Sequence, residues 1–332
     1  MADSINILGL GHYIPESVLT NQDLEQMVNT DDDWIVSRTG IRQRRLASKG
    51  QGCSDLAWEA SRQALEQSGT RAEELSHILV ATFTPDYCTP TTACVLQDKL
   101  GASNCMMAMD IGAGCSGFVY GLDTARGICS LQPGAKVLVV GSEVCTSRVN
   151  FQDRNTCVLF GDGAGAAVVS CAQSPGMEVQ LLDTLLKADG SLGHLLPVGR
   201  RGGSVEPFSL GDRVDEEYFI HMKGRELFRH AVRGMAEITH NVLERNGLRT
   251  QDVDLFIPHQ ANLRIIEALA KKLEYPMQKV FVNVDRLGNT SAASVIIALS
   301  EAQLQDRIRP GYTVLLVAFG AGLTWGAGLL RF

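Results

Sequence analysis

Basic charge, paired cysteines and aromatic side chains are what this 332-residue chain has least of. Thirty Lys and Arg stand against 37 Asp and Glu, for a net charge of −7. A general nucleic-acid binder needs a basic face, so that class is not indicated, although local basic patches remain open. All nine cysteines lie before residue 172 and none forms a C-x-x-C pair. Zinc sites and redox motifs depend on close pairing, so neither a metal nor a dithiol is expected. Met1-Ala2-Asp3-Ser4 lacks the charged-then-apolar pattern of an export signal. An odd, unpatterned set of thiols without such a signal reads as a cytoplasmic protein with reduced cysteines. No G-x-S-x-G occurs, so a serine-hydrolase elbow is absent too.

What is present is the composition of a globular protein with a full core, 45% hydrophobic and 20% charged. The length suits two domains or one large duplication. The uncharged run from Gly311 to Leu330 has the length of a membrane span. Gly320, Gly322, Gly326 and Gly328 interrupt it, so it reads instead as two buried strands joined by a glycine turn. Strands and helices alternate before that. A strand is expected from Ile5, then a helix N-capped by Ser54 and ending at Gly69, and a strand over 77–82. A helix over 92–100, a strand over 106–111, a helix over 115–130 and a strand over 136–141 follow, implying a mainly parallel sheet covered by helices.

The second half replays the first. Leu75-Ser76-His77-Ile78-Leu79-Val80 is similar to Asp252-Val253-Asp254-Leu255-Phe256-Ile257. Met109-Asp110-Ile111-Gly112, leading to Cys115, is similar to Val284-Asp285-Arg286-Leu287, leading to Thr290, at an offset of 175 (285 − 110; 290 − 115). Pro133-Gly134 with its following strand matches Pro310-Gly311, and Gly161-Asp162-Gly163-Ala164-Gly165 matches the terminal glycine hairpin. So long a repeat implies two halves about a pseudo-twofold axis. The expected division is 1–174 and 175–332, at the break Ser174-Pro175-Gly176. Cys115 and Asn289 then take nearly equivalent places, each after a strand and before a helix, at the interface of the halves.

Gly112-Ala113-Gly114-Cys115-Ser116-Gly117 is formally G-x-G-x-x-G, but it lies deep in the chain. The nearest acid able to end the following strand is Glu143, 26 residues past Gly117 (143 − 117). A dinucleotide site needs that acid about 20 positions on. A cysteine at a helix start is, by contrast, a nucleophile in waiting. The terminus favours the thiolate, moving a pKa of roughly 8.5 toward about 3.5–7.5, and its free N–H groups face an incoming carbonyl oxygen. His259, in Ile257-Pro258-His259-Gln260-Ala261-Asn262, reads equally as a satisfied core histidine. Asn289, in Leu287-Gly288-Asn289-Thr290-Ser291, reads equally as a turn residue. Only the repeat directs both toward Cys115.

These three segments, with Gly161-Asp162-Gly163-Ala164-Gly165 and Phe319-Gly320-Ala321-Gly322-Leu323-Thr324-Trp325-Gly326, resemble the β-ketoacyl-acyl-carrier-protein synthase III family of thiolase-fold condensing enzymes. The resemblance runs from Ile5 to Phe332. It implies an α/β, thiolase-like five-layer α-β-α-β-α fold and a homodimer. It implies that Cys115 accepts the acyl group, that His259 and Asn289 bind the thioester oxygen during decarboxylation, and that the N–H groups of Cys115 and Ala321 form an oxyanion hole. Trp34 and Arg154 would sandwich the adenine of coenzyme A, Arg38 would meet phosphate, and Asn262 the pantetheine arm. Arg264, Lys271 and Lys272 would dock an acidic carrier protein. The substrates would be acyl-CoA and malonyl-acyl carrier protein, with no metal or redox cofactor, no membrane insertion and no nucleic acid.

The family pattern is not matched everywhere. Ala321 replaces a usual glycine and Leu287 a frequent histidine. Thr89 stands where a bulky aromatic often closes the acyl pocket near the dimer interface, so a longer tunnel and medium or long primers are expected. The segment 190–218, with Arg200-Arg201-Gly202-Gly203, is long and reads as a mobile flap. Three readings stay open: fatty-acid initiation, a condensing or acyl-transfer relative of secondary metabolism (alkylquinolone or polyketide type), and a non-catalytic acyl-CoA binder.

Overall fold

The computed structural model describes residues 5–171, 179–199 and 216–332. The expected division at 174/175 and the Arg200-Arg201-Gly202-Gly203 part of the expected flap lie outside the described residues. The strands are β1 Asn6–Tyr13, β2 Ser17–Thr20, β3 Gln43–Leu46, β4 His77–Ala81, β5 Met107–Ile111, β6 Lys136–Glu143, β7 Gly163–Ser170, β8 Val179–Ala188, β9 Leu255–Pro258, β10 Thr313–Gly320 and β11 Thr324–Arg331. The helices are α1 Asn21–Glu25, α2 Asp32–Thr39, α3 Cys53–Ser68, α4 Thr92–Leu100, α5 Gly117–Leu131, α6 Arg154–Cys157, α7 Gly224–Arg245, α8 Leu263–Lys272, α9 Val284–Leu287 and α10 Ala293–Leu304.

The main sheet runs β5-β4-β6-β7-β1-β8-β11-β10-β9. Its middle is thin: among the described residues, β1 and β8 pair at Asn6↔Gln180 and Ile7↔Val179, beside a hydrogen bond from the Leu181 N–H to the Ile5 carbonyl. Outward from that seam the two sides repeat. β1-β7-β6 is antiparallel throughout and β6-β4-β5 parallel. Likewise β8-β11-β10 is antiparallel and β10-β9 parallel. In place of a second β5 there is a single parallel bridge, Phe256↔Val280. The sheet is therefore mixed rather than mainly parallel, because the three-residue turn between β10 and β11 can only return the chain antiparallel.

Helices α3 and α4 cover the outer face of the first half, and α7 with α8 that of the second. Between the halves lie α5 and α10, completing five layers. Phe118, Val119 and Leu122 of α5 join Val295, Ile296 and Leu299 of α10 in a core shared with Val137, Val139, Val314 and Leu316. Each such aliphatic side chain contributes about 1.5–3 kcal/mol on burial. α10 is buried from Ala293 to Ala302, as a largely apolar helix between two sheets can be, and its buried Ser294 and Glu301 are hydrogen-bonded.

Two local expectations are corrected. Helix α3 is capped at Gly52, not Ser54: Asp55 accepts the Gly52 N–H at 2.8 Å, while the Ser54 N–H is held by Asp86. The stretch before Asn289 is the single turn α9 rather than a strand, with Leu287 packed against Ala293 and Ile297. The apolar run 311–330 is the hairpin β10–β11. Among the described residues no helix is long and apolar enough to cross a membrane.

Candidate active site

Strand β5 delivers the chain to Gly114, whose φ of +51° starts a 3-10 turn over Gly114–Ser116 that runs into α5. The expected helix at Cys115 thus begins as this tighter turn. Its backbone lies against the end of β10. A Cβ on Gly320 would sit 2.4 Å from the Cys115 nitrogen, and one on Gly114 2.9 Å from the Ala321 nitrogen. The two N–H groups assigned to an oxyanion hole are brought to one place by glycines that let the backbones touch. Ala321 is not among the residues of positive φ, so its methyl fits where glycine is usual. The Thr324 hydroxyl ties the two segments, lying 2.6 Å from the Ser116 hydroxyl, 2.8 Å from the Ala113 carbonyl and 3.0 Å from the Ala321 carbonyl.

Cys115 as a whole residue is only 9% exposed. Burial pushes its thiol up to about 12; the neighbouring Ser291 side chain pulls it down, and the nearby Glu143 carboxylate pushes it up again. This corrects the expectation of a lowered pKa. The helix terminus acts locally, whereas loss of water and a buried negative charge act on the whole site.

His259 follows β9, its N–H held by the Val317 carbonyl at 2.7 Å. Nδ1 lies 2.6 Å from the Ser294 hydroxyl, which accepts the Gln260 N–H at 3.4 Å. In the tautomer where this hydroxyl donates to Nδ1, the ring proton sits on Nε2. Burial lowers His259 to about 3, so it is a neutral imidazole with a donor to offer. Asn289 is fixed by two backbone hydrogen bonds, to Leu159 at 2.8 Å and from Gly161 at 3.1 Å. Its Oδ1 accepts the Ser291 N–H at 2.9 Å, turning its NH₂ donors the other way. Ser291 itself holds φ +49°, a region costly for any residue with a Cβ.

Cys115, His259 and Asn289 all line one cavity of about 690 Å³. Its wall is apolar, with Leu159, Phe160, Leu196, Met222, Phe228 and Met235, and its mouth is basic, with Arg38, Arg225, Arg229 and Arg264. Arg225 and Arg229 were missed by sequence reasoning. Their i, i+4 spacing at the start of α7 was the available signal, since it puts both on one helix face. Trp34 lines the mouth as well, but Arg154 stacks directly over its ring at 4.5 Å, and Arg38 lies at 5.0 Å. An adenine between Trp34 and Arg154 requires the arginine to swing away from its hydrogen bond to the Asn29 carbonyl.

Asn262 lines the cavity, yet its side chain caps α8 and donates to the Arg38 carbonyl at 3.2 Å. Arg264 is exposed in the first turn of α8, and Lys271 and Lys272 are exposed in its last turn. Thr89 is exposed and lies away from the cavity of its own chain. Leu287 points into the core, not the cavity.

Comparison with known proteins bears on this arrangement. Residues 109–190 match the family profile described as 3-oxoacyl-[acyl-carrier-protein] synthase III, and residues 243–332 match its C-terminal profile. β-Ketoacyl-[acyl-carrier-protein] synthase III of Oleidesulfovibrio alaskensis is 54% identical over 325 residues, covering 98% of each chain. The chain belongs to the β-ketoacyl-acyl-carrier-protein synthase III family. The crystal structure of the Aquifex aeolicus synthase III superposes with a TM-score of 0.90 at 45% identity, covering 99% of this chain and 100% of that one. The priming β-ketosynthase of the R1128 polyketide pathway superposes at 0.89 with 33% identity, covering 99% and 97%. Membership makes this synthase an acyltransferase of the condensing type with a thiolase-like fold, as its sequence implied, and places it in fatty-acid biosynthesis.

Proposed function

We propose that this synthase runs a ping-pong condensation in which Cys115 carries the acyl group between an acyl-CoA and malonyl-carrier protein. The convergence of Cys115, His259 and Asn289 on one cavity supports this most directly. Sγ attacks the thioester carbonyl, the oxyanion is met by the Cys115 and Ala321 N–H groups, and CoA leaves. Malonyl-carrier protein follows, and loss of carbon dioxide creates an enolate whose oxygen accepts from His259 Nε2 and the Asn289 amide. The carbanion attacks the acyl-cysteine and releases β-ketoacyl-carrier protein. These steps call on no group beyond the substrates.

The basic mouth suits both partners. Phosphates of CoA pair with Arg38, Arg225 and Arg229, and its adenine with Trp34 and Arg154. Asn262 positions the pantetheine arm through the loop it fixes. Arg264, Lys271 and Lys272 present a local positive surface to an acidic carrier on an otherwise acidic protein. In the homodimer we propose, Thr89 reaches the tunnel of the second copy, where its small side chain leaves room for medium and long primers. The halves 1–174 and 175–332 supply nucleophile and enolate donors respectively, in a cytoplasmic enzyme.

Intact-protein mass after exposure to acetyl-, octanoyl- and dodecanoyl-CoA, followed by product mass with malonyl-carrier protein, tests this reading. Acyl adducts on wild type but not on Cys115→Ala are expected, and an adduct on Cys115→Ala refutes the nucleophile. Strict acetyl preference refutes the long-primer reading. The likeness to a polyketide priming synthase favours one second reading, initiation of a specialised acyl chain. A product released onto a carrier other than that of fatty-acid synthesis distinguishes it.

A further inference from the structure

Acylation releases a proton from the Cys115 thiol, and the described residues lining the cavity offer it no strong base. His259 is occupied at Nδ1 by Ser294, and burial leaves it a weak base. Among the described residues, no aspartate or glutamate lines the cavity. Behind the sulfur, however, lies Glu143, the last residue of β6, wholly buried. Its Oε2 accepts from the Thr82 hydroxyl at 3.0 Å, the Phe83 N–H at 3.1 Å and the Thr84 hydroxyl at 2.7 Å. Its Oε1 accepts from the Ser291 hydroxyl at 3.0 Å, and the Ser291 side chain neighbours the Cys115 thiol, lowering its pKa. The hydroxyl and carboxylate are thus hydrogen-bonded to each other, and both act on the sulfur.

We infer that Glu143, acting through the Ser291 hydroxyl, takes up the Cys115 proton during acylation and returns it during condensation. The inference rests on Cys115 being the nucleophile. As Sγ bonds to the thioester carbon, its proton passes to the Ser291 oxygen while the Ser291 proton passes to Oε1. The C–S bond to CoA then breaks, and the departing thiolate takes its proton from water. Glu143 stays protonated while the acyl group is on sulfur. After the enolate carbon attacks, collapse of the adduct expels the Cys115 thiolate, which regains the stored proton by the reverse path. The cycle consumes one proton from solvent, matching the carboxylate lost as carbon dioxide.

The surroundings suit a group that gains and loses a proton near neutrality. Burial raises Glu143 to about 7 against the pull of four hydrogen bonds, from Thr84, Phe83, Ser291 and Thr82. The titratable groups facing it are the thiols of Cys53 from α3, Cys115 before α5 and Cys145 after β6, with Asp86 and Asp162 acting on Cys53 and Cys145. The positive φ of Ser291 is the strain expected where a backbone is held to aim a functional side chain.

Acylation by octanoyl-CoA, followed by rapid quench from pH ~5.5 to ~9, reads the relay, and decarboxylation of malonyl-carrier protein without primer reads the other half-reaction. Glu143→Gln and Ser291→Gly are each expected to slow acylation by about 10²-fold and to remove an inflection near pH 7, while decarboxylation changes by less than about threefold. Ser291→Gly keeps the N–H to Asn289 and favours positive φ, so it removes only the hydroxyl. An inflection retained in both variants, or equal losses in both half-reactions, overturns the relay. Cys115→Ala is carried in parallel: acyl uptake by that variant overturns the nucleophile assignment instead.

Discussion

Replacing Gly320 by alanine tests the contact on which the oxyanion hole depends. The added Cβ would lie 2.4 Å from the Cys115 nitrogen, 3.0 Å from that of Ser116 and 3.1 Å from the Cys115 Cα. Ordinary contact begins near 3.4 Å, so the nucleophile turn and the end of β10 must part by roughly 1 Å, and every nearby atom is backbone with no rotamer to yield. Overpacking of this kind costs about 1–3 kcal/mol of stability, which lowers Tm by roughly a few degrees in a chain of this size. Activity suffers more, because a shift of about 1 Å in a positioned group costs on the order of 10²-fold, and loss of one oxyanion donor about 10²–10³-fold. Stopped-flow acylation from acetyl-CoA should show a fall of about 10²-fold in rate with substrate affinity little changed. Gly328→Ala, on the same hairpin, is the control: its Cβ meets Leu316 at 3.9 Å and should be neutral. Wild-type acylation by Gly320→Ala refutes the apposition of these backbones.

Other outcomes follow from the same geometry. Cys115→Ser or Cys115→Ala abolishes acyl transfer, whereas His259→Ala or Asn289→Ala chiefly impairs decarboxylation of malonyl-carrier protein; equal loss of both half-reactions in all of them counts against the division of roles. Ser294→Ala frees the imidazole to take the other tautomer and slows decarboxylation by about tenfold or more with acylation kept, read in separate half-reaction assays. His259 is lowered from 6.5 to about 3, so the unfolded chain binds the extra proton between those values and its contribution to stability, full above 6.5, is lost as pH falls toward 3. His259→Asn should therefore lose less Tm than wild type between pH 6.5 and about 4.5, and a steeper loss would contradict the buried neutral ring. Arg225→Ala with Arg229→Ala should raise KM for CoA substrates several-fold and flatten its salt dependence, with kcat nearly kept. Thr89→Phe should narrow primer use toward acetyl, measured by the chain-length panel.

Much of the fold could be read where glycine or a cap dictates it. Helix α4 begins after Thr91, which accepts the Cys94 N–H, and ends at Gly101 in the left-handed region, both signals local to the chain. The strand-turn-Cys115 segment and the glycine hairpin were legible for the same reason. The segment at 284–287 misled because its likeness to 109–112 lies in residue identity, while the backbone there closes a helical turn under Leu287. Glu143, Ser291 and Ser294 were not legible at all. Their partners lie 35 to 148 residues away, and a hydroxyl carries no periodicity to mark it. The direction of the Cys115 shift was misread because a helix end is visible in sequence and desolvation is not. The Trp34–Arg154 stack shows the same limit: residue types announced an aromatic–cation pair, but not that they rest on each other.

The latch made by Thr324 has a bearing on how such enzymes diversify. It joins the turn that bears the sulfur to the hairpin that offers the second donor, one hydroxyl reaching main-chain carbonyls on both sides that substitutions elsewhere leave in place. Leu196, Met222, Phe228 and Met235, which bound the space for an acyl chain, touch neither partner of that latch by hydrogen bond. Selection is thus free to resize the lodging for the guest while the reacting floor stays still, so new primer preferences need no reinvention of the chemistry.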